Sequence, residues 1–134
     1  MIDSILRGAF LHVDDLPHGV DLVSELRALN DPATPCLWVL SARSHDPHSP
    51  DRVRLKIGTH GDTGALMWIG NNQRLVPATG TNPDWATYYL AGMHDTHLPP
   101  HAEVPIETAY QALAEYLVTR ERPTTIRWQP AQEE

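Results

Sequence analysis

Apolar and polar positions alternate most regularly between Val53 and Ile69. Val53, Leu55 and Ile57 fall on one side of an extended chain, with Arg54 and Lys56 on the other. Successive side chains of a strand point to opposite faces, so Val53–Gly58 predicts a half-buried strand. Thr59–Gly64 (THGDTG) is turn chemistry and Ala65–Ile69 is the returning strand, which makes 53–69 a hairpin. Asn71-Asn72 forms another turn, and Leu75-Val76 begins a third strand. Three strands joined by short turns predict an antiparallel meander.

Two stretches switch to helical period. Val20, Val23, Leu26 and Leu29 share one face, predicting a short amphipathic helix over residues 19–29 that Asn30-Asp31-Pro32 stops. Further on, Ile106, Ala109, Tyr110, Leu113, Tyr116 and Leu117 form a clear apolar stripe. Pro105 suits the first turn of that helix, where its missing N–H costs nothing. Glu107 complements the positive end of the helix dipole, Arg120 and Arg122 suit the negative end, and Pro123 prevents continuation.

The remaining elements are shorter. Ile5–Val13 predicts a first strand, and the apolar run Cys36–Leu40 a buried one. Ser41–Asp51 (SARSHDPHSPD) is polar and holds two prolines, so a loop is expected. Asp84–Leu90 suits either a strand or a helical turn. Leu98-Pro99-Pro100 keeps the next stretch extended. Thr124–Trp128 predicts the final strand, and 129–134 a frayed polar tail. With no internal repeat, residues 1–134 are expected to form a single α+β domain: a mainly antiparallel sheet, a meander, with two helices packed on it.

Composition narrows the function classes. At 134 residues and 41% apolar content, the chain can bury one core. It has no basic segment followed by an apolar run, so no signal peptide is expected, and no apolar stretch approaches a membrane span. A single cysteine cannot form an internal disulfide, which favours the cytoplasm. The net charge of −7 is uneven: from Leu75 to Thr119 there is no Lys or Arg, only Asp84, Asp95, Glu103, Glu107 and Glu115. A one-signed acidic segment repels nucleic acid and attracts basic partners.

The oddest stretch is AGMHDTHLPPHAEVP, residues 91–105. His101-Ala102-Glu103 matches half of the zinc deaminase signature, but no P-C-x-x-C follows to complete the metal shell. Pro35-Cys36 lies upstream, with Val39 where the second thiolate would stand. A different metal site using His94, His97 and His101 is the alternative, although Pro99-Pro100 removes helical spacing from the pair His97 and His101. His45 and His48, in the polar loop, are weaker candidates. Cys36 sits in an apolar strand, the reverse of the exposed, electropositive setting a nucleophilic thiolate needs. There is no G-x-S-x-G elbow, Walker loop or G-x-G-x-x-G. No cofactor is expected.

One resemblance absorbs most of these features. GTNPDWATYYLAG (80–92), LPPHAEVPIETAYQALAEYL (98–117) and RPTTIRW (122–128) are similar to the C-terminal motifs of a bacterial immunity family. It is the first-numbered of the polymorphic-toxin immunity families, common in actinobacteria, whose members often accompany deaminase toxins. Upstream, Val20–Leu29, Leu37-Trp38 and Gly61–Trp68 resemble its helix, its L-W strand and its hairpin. Tyr88-Tyr89 depart from a usual Tyr-Trp, Pro100-His101-Ala102 from a Gly-Ser pair, and Ile126 from Val.

What the resemblance implies is inhibition by occlusion, without catalysis. An immunity protein binds its cognate toxin and blocks the active site or substrate channel. A toxin that acts on nucleic acid, such as a deaminase, is basic where it grips phosphate, and an acidic inhibitor complements it. The expected contact residues are Asp84, Asp95 and Glu103, with Trp85 and Tyr88 as aromatic anchors, Tyr89 beside them, and Asp46 and Asp51 on a second candidate surface.

Overall fold

A computed structural model of the chain describes residues 8–42, 53–70 and 73–132. Among them, nine strands form one mixed sheet: β1 Phe10–His12, β2 Cys36–Ser41, β3 Arg54–His60, β4 Thr63–Gly70, β5 Gln73–Pro77, β6 Ala86–Leu90, β7 His94–Leu98, β8 Glu103–Pro105 and β9 Trp128–Pro130. Two helices, α1 Leu22–Leu29 and α2 Ile106–Thr119, accompany them. The expected α+β class and meander are observed: β2, β3, β4 and β5 run antiparallel in chain order.

The sheet branches at both sides of that meander. One edge of β2 is shared between β6, which pairs at Cys36 and Leu37, and β1, which pairs from Val39 to Ser41, both parallel. One edge of β4 is shared between β8 at Thr63–Ala65 and β5 at Trp68–Gly70. Such branching lets a sheet bend rather than stay flat. Its path runs β7-β6-β2-β3-β4-β5-β9, and residues from its two ends meet in one cluster. The sheet is therefore curled into a half-barrel.

Period-two alternation sorts the two faces. Trp38, Leu40, Leu55, Ile57, Leu66 and Trp68 lie against the helices, with Leu22, Leu26, Ala109, Leu113 and Tyr116 opposite them. Trp68 and Tyr116 meet edge to face at 5.9 Å. Leu113 is fully buried, so truncating it to Ala would cost about 2–5 kcal/mol. The inner, concave face buries Leu37, Ala65, Met67, Val76, Tyr88 and Leu98.

Several element ends differ from expectation for local reasons. Helix α1 starts at Leu22 because Asp21 caps it, accepting the Ser24 N–H at 3.3 Å and its hydroxyl at 2.8 Å. Pro105 ends β8 and stands at the N-cap of α2 rather than inside its first turn. The final strand lies later than Thr124–Trp128. Glu115 accepts both the backbone N–H and hydroxyl of Thr124 at 2.8 Å, and the Thr125 N–H at 3.0 Å, tying those residues into a bend. Pairing begins at Trp128, so Gln129 and Pro130 belong to β9 against β5 rather than to a frayed tail. The first strand is confined to Phe10–His12 among the described residues. Asp84–Leu90 resolves as strand from Ala86 onward.

Candidate functional site

The stretch from Gly80 to Glu103 is built around one amide. Asn82 is buried, and its Nδ2 donates to the carbonyls of Asp84 at 2.8 Å and Pro99 at 3.2 Å. Its Oδ1 accepts the Glu103 N–H at 2.8 Å, and its own carbonyl accepts the His101 N–H at 2.9 Å. Thr81 N–H donates to the Glu103 carbonyl at 2.8 Å. The chain at Gly80 passes so close to His101 that an added Cβ would lie 1.7 Å from the His101 carbonyl oxygen. The GTN turn therefore clamps the loop before β8, with His101 held at a positive φ of 71°. These motif residues fix a shape.

Tyr88 and Glu103 belong to the same scaffold. Tyr88 is only 1% exposed, with its ring against the Cα of Gly58, where a Cβ would meet it at 2.8 Å. Its hydroxyl donates to Glu103 Oε2 at 2.7 Å. Burial, together with that carboxylate, pushes the phenol far above its ordinary range. Tyr88, expected as an aromatic anchor, is thus a core residue, and the half-buried Glu103 is occupied inside the protein.

The acidic segment does not form one flank. Glu107 lies on α2 and grips Arg27 of α1 through two bonds of 2.6 and 2.7 Å, while that guanidinium also covers the Tyr110 ring at 4.3 Å. Glu115 holds Thr124 and Thr125. Asp84 and Asp95 remain, both exposed and both on or beside the β6–β7 hairpin. Asp46 and Asp51 lie outside the described residues, as do His45 and His48.

That hairpin carries the exposed aromatic surface. In its register Tyr89 faces Asp95 and Thr87 faces His97, so these four share one side. Tyr89 and Trp85 are each 38% exposed, and Met93 in the turn is 70% exposed. Strand β7 ends the sheet path, so the hairpin stands at an edge.

Beside it, on the concave face, is a cleft of about 480 Å³ lined by Lys56, Met67, Arg74, Trp85, His97, Pro99, Ala131 and Gln132. Lys56 pairs across with Met67, and Arg74 with Ile69, which places both cations on this face. Burial, with Arg54 and Arg74 as nearby like charges, pushes the Lys56 ammonium below its ordinary range. Sequence reasoning took Arg54 and Lys56 for a solvent face and did not single out Arg74. The meander itself carried the signal, since matching registers bring Lys56 and Arg74 to the same side of adjacent hairpins.

The three histidines of the alternative reading are dispersed. His97 Nδ1 is 3.1 Å from the Thr87 hydroxyl, and His101 Nδ1 is 3.1 Å from the Gly80 carbonyl. His94 lies at the opposite end of β7. Among the described residues, no three His, Cys, Asp or Glu side chains are grouped as metal ligands would be.

A family model described as immunity protein Imm1 matches residues 15–130. The chain belongs to the Imm1 immunity protein family. The match spans α1, the meander, the clamp and α2, so the resemblance in the motifs extends through every described strand of the half-barrel except β1. Among curated proteins, none matches the chain. As an Imm1 member it is an immunity protein, which implies a cognate toxin as its partner. Among the described residues no helix is long and apolar enough to cross a membrane.

Proposed function

We propose that this Imm1 protein neutralises a nucleic-acid-acting toxin, a deaminase by family resemblance, by seating its β6–β7 hairpin over the toxin's active site or substrate channel. The protein does no chemistry of its own in this reading, and acts in the cytoplasm. The observation that supports it is the exposure of Trp85, Tyr89 and Met93 along the hairpin, with Asp95 paired across from Tyr89 and Asp84 next to Trp85 in the chain. Interface centres favour aromatic anchors and methionine, and rim acids steer a basic partner into register. The other three acids of the segment are spent on internal bonds, so this hairpin concentrates the free negative charge of the region.

The test is capture of the toxin domain encoded beside this chain, followed by measurement of the complex. A dissociation constant in the nanomolar range is expected, near −12 kcal/mol. The double variant Asp84→Lys, Asp95→Lys should bind at least about tenfold more slowly at low salt. Equal association rates for the variant and the natural chain would remove the hairpin from the interface. A toxin domain that does not bind at all would sink the neutralisation reading.

A further inference from the structure

The neutralisation reading makes the protein an acidic inhibitor of a basic surface. The cleft beside the hairpin has the opposite sign. Lys56 and Arg74 supply cations, His97 and Gln132 supply polar groups, and Trp85, Met67 and Pro99 supply apolar walls. Among the described residues, no Asp or Glu lines it.

Lys56 is the informative member. It sits at the centre of the sheet, on β3, between Val39 and Met67, both buried. Nothing in the described fold pairs with its ammonium, although Arg27 and Arg120 both have carboxylate partners. A partly buried charge without a counter-ion is unfavourable in the free protein. Folding alone gives no reason to place a lysine there; a ligand that brings a negative charge does.

Resting on the neutralisation reading, we propose that this cleft receives an acidic side chain of the toxin, its carboxylate pairing with Lys56 and Arg74 while Trp85 closes over it. Trp85 lies on the cleft wall and is also exposed at the hairpin, so a partner that covers Trp85 reaches the mouth of the cleft. The sign pattern argues for a carboxylate on a protein rather than a nucleic-acid strand. Asp84, next to Trp85, and the net charge of −7 repel a polyanion, whereas a single acid on a basic toxin is drawn in with its surroundings. The arrangement also supplies specificity. A toxin with an apolar residue at that point would leave Lys56 covered and unpaired, which penalises the wrong partner.

The experiment compares binding of the neighbouring toxin domain to the natural chain, Lys56→Met, Arg74→Gln and the double variant. Lys56→Met should weaken the complex at least about 30-fold, mainly through faster dissociation, as expected for one partner of a desolvated charge pair. The thermal midpoint of the free variant should not fall, which separates binding from folding. A natural complex of nanomolar affinity that the double variant forms equally well overturns the cleft proposal and leaves neutralisation standing. Failure of the natural chain to bind the toxin overturns both. Two further arms identify the occupant. A 20-nucleotide single strand that binds the natural chain but not Lys56→Met would make the cleft a nucleic-acid site and overturn the proposal. So would disappearance of the Lys56 effect in a chain ending at Gln132, since Glu133 and Glu134 would then be the acids concerned.

Discussion

The hydroxyl of Tyr88 donates to Glu103 Oε2 across 2.7 Å, joining β6 to β8 over the Cα of Gly58. A hydroxyl that is 1% exposed as part of its residue and a half-buried carboxylate each satisfy the other's need for a partner. Removing one end leaves the other desolvated without its bond. Tyr88→Phe should therefore lower stability by about 1–3 kcal/mol. Glu103→Gln, which keeps an acceptor, should cost less than Glu103→Ala. Chemical denaturation of the three variants gives the order. Toxin affinity should be unchanged in whatever fraction stays folded, because neither side chain is placed at the proposed interface. A specific loss of affinity by folded Tyr88→Phe would return this pair to the contact surface.

Asn82 offers a sharper case. Its side chain makes three bonds to backbone groups of Asp84, Pro99 and Glu103, so no other residue type reproduces the pattern. Asn82→Ala should cost about 2–4 kcal/mol, since at least one buried backbone group is left unpaired. Asn82→Asp should fall nearly as far, because a carboxylate cannot donate to the two carbonyls. Gly80→Ala should be at least as damaging, as its Cβ would strike backbone rather than a movable side chain. Thermal midpoints measured with the exposed control Thr79→Ala, which should be within about 0.5 kcal/mol of the natural chain, test the clamp.

The clamp also shows what could be drawn from sequence and what could not. Regular alternation at Val53–Gly58 and the helical stripe from Ile106 to Leu117 reported true faces, because each period is set by local geometry. The family motif was legible as a string, but its role was not. Asn82 and Glu103 are 21 residues apart, and nothing local marks their pairing. Counting acids between Leu75 and Thr119 suggested one flank, yet side-chain direction scatters them: Glu107 turns to Arg27, Glu115 to Thr124 and Glu103 inward to Tyr88. The Lys56 cleft was hidden for the same reason. A lysine on the polar side of a strand is ordinarily solvated, and only the curl of the sheet turns that side inward.

Acid should destabilise the protein through identifiable groups. The Arg27 guanidinium holds Glu107 below its ordinary value of 4.5, and the Thr124 backbone and hydroxyl do the same for Glu115. Ser24 likewise holds Asp21 below 3.8. Each folded value is lower than the unfolded one, so each contribution is present above the unfolded value and is lost as pH falls through the folded one. Thermal midpoints should thus decline from about pH 5 downward, and more steeply than in Glu107→Gln or Glu115→Gln. Salt should reduce the Glu107 part, because that ion pair is exposed to screening. A Glu115→Gln variant with the same acid profile as the natural chain would show that its three bonds form equally in the unfolded state.

Lys56 gives the opposite pH dependence, and with it a separation of stability from binding. Its folded value lies below its ordinary 10.5, through burial first and the Arg54 and Arg74 charges second. Between the two values the unfolded chain binds more protons than the folded one, so this group's contribution improves as pH rises through that window and is unfavourable below it. Lys56→Met removes the penalty while keeping the stem that packs between Val39 and Met67. The variant should be more stable than the natural chain by about 0.5–2 kcal/mol near neutral pH. That advantage should shrink as pH rises through the lowered folded value towards the lysine's ordinary 10.5. Above that, burial of Tyr116, which pushes its phenol up to about 12, makes both proteins lose stability as the unfolded tyrosines ionise. Denaturation curves at three pH values, alongside toxin affinity, decide the matter. Greater stability with weaker binding marks a residue kept for its partner, whereas lower stability at neutral pH would mean that the ammonium is satisfied within the fold.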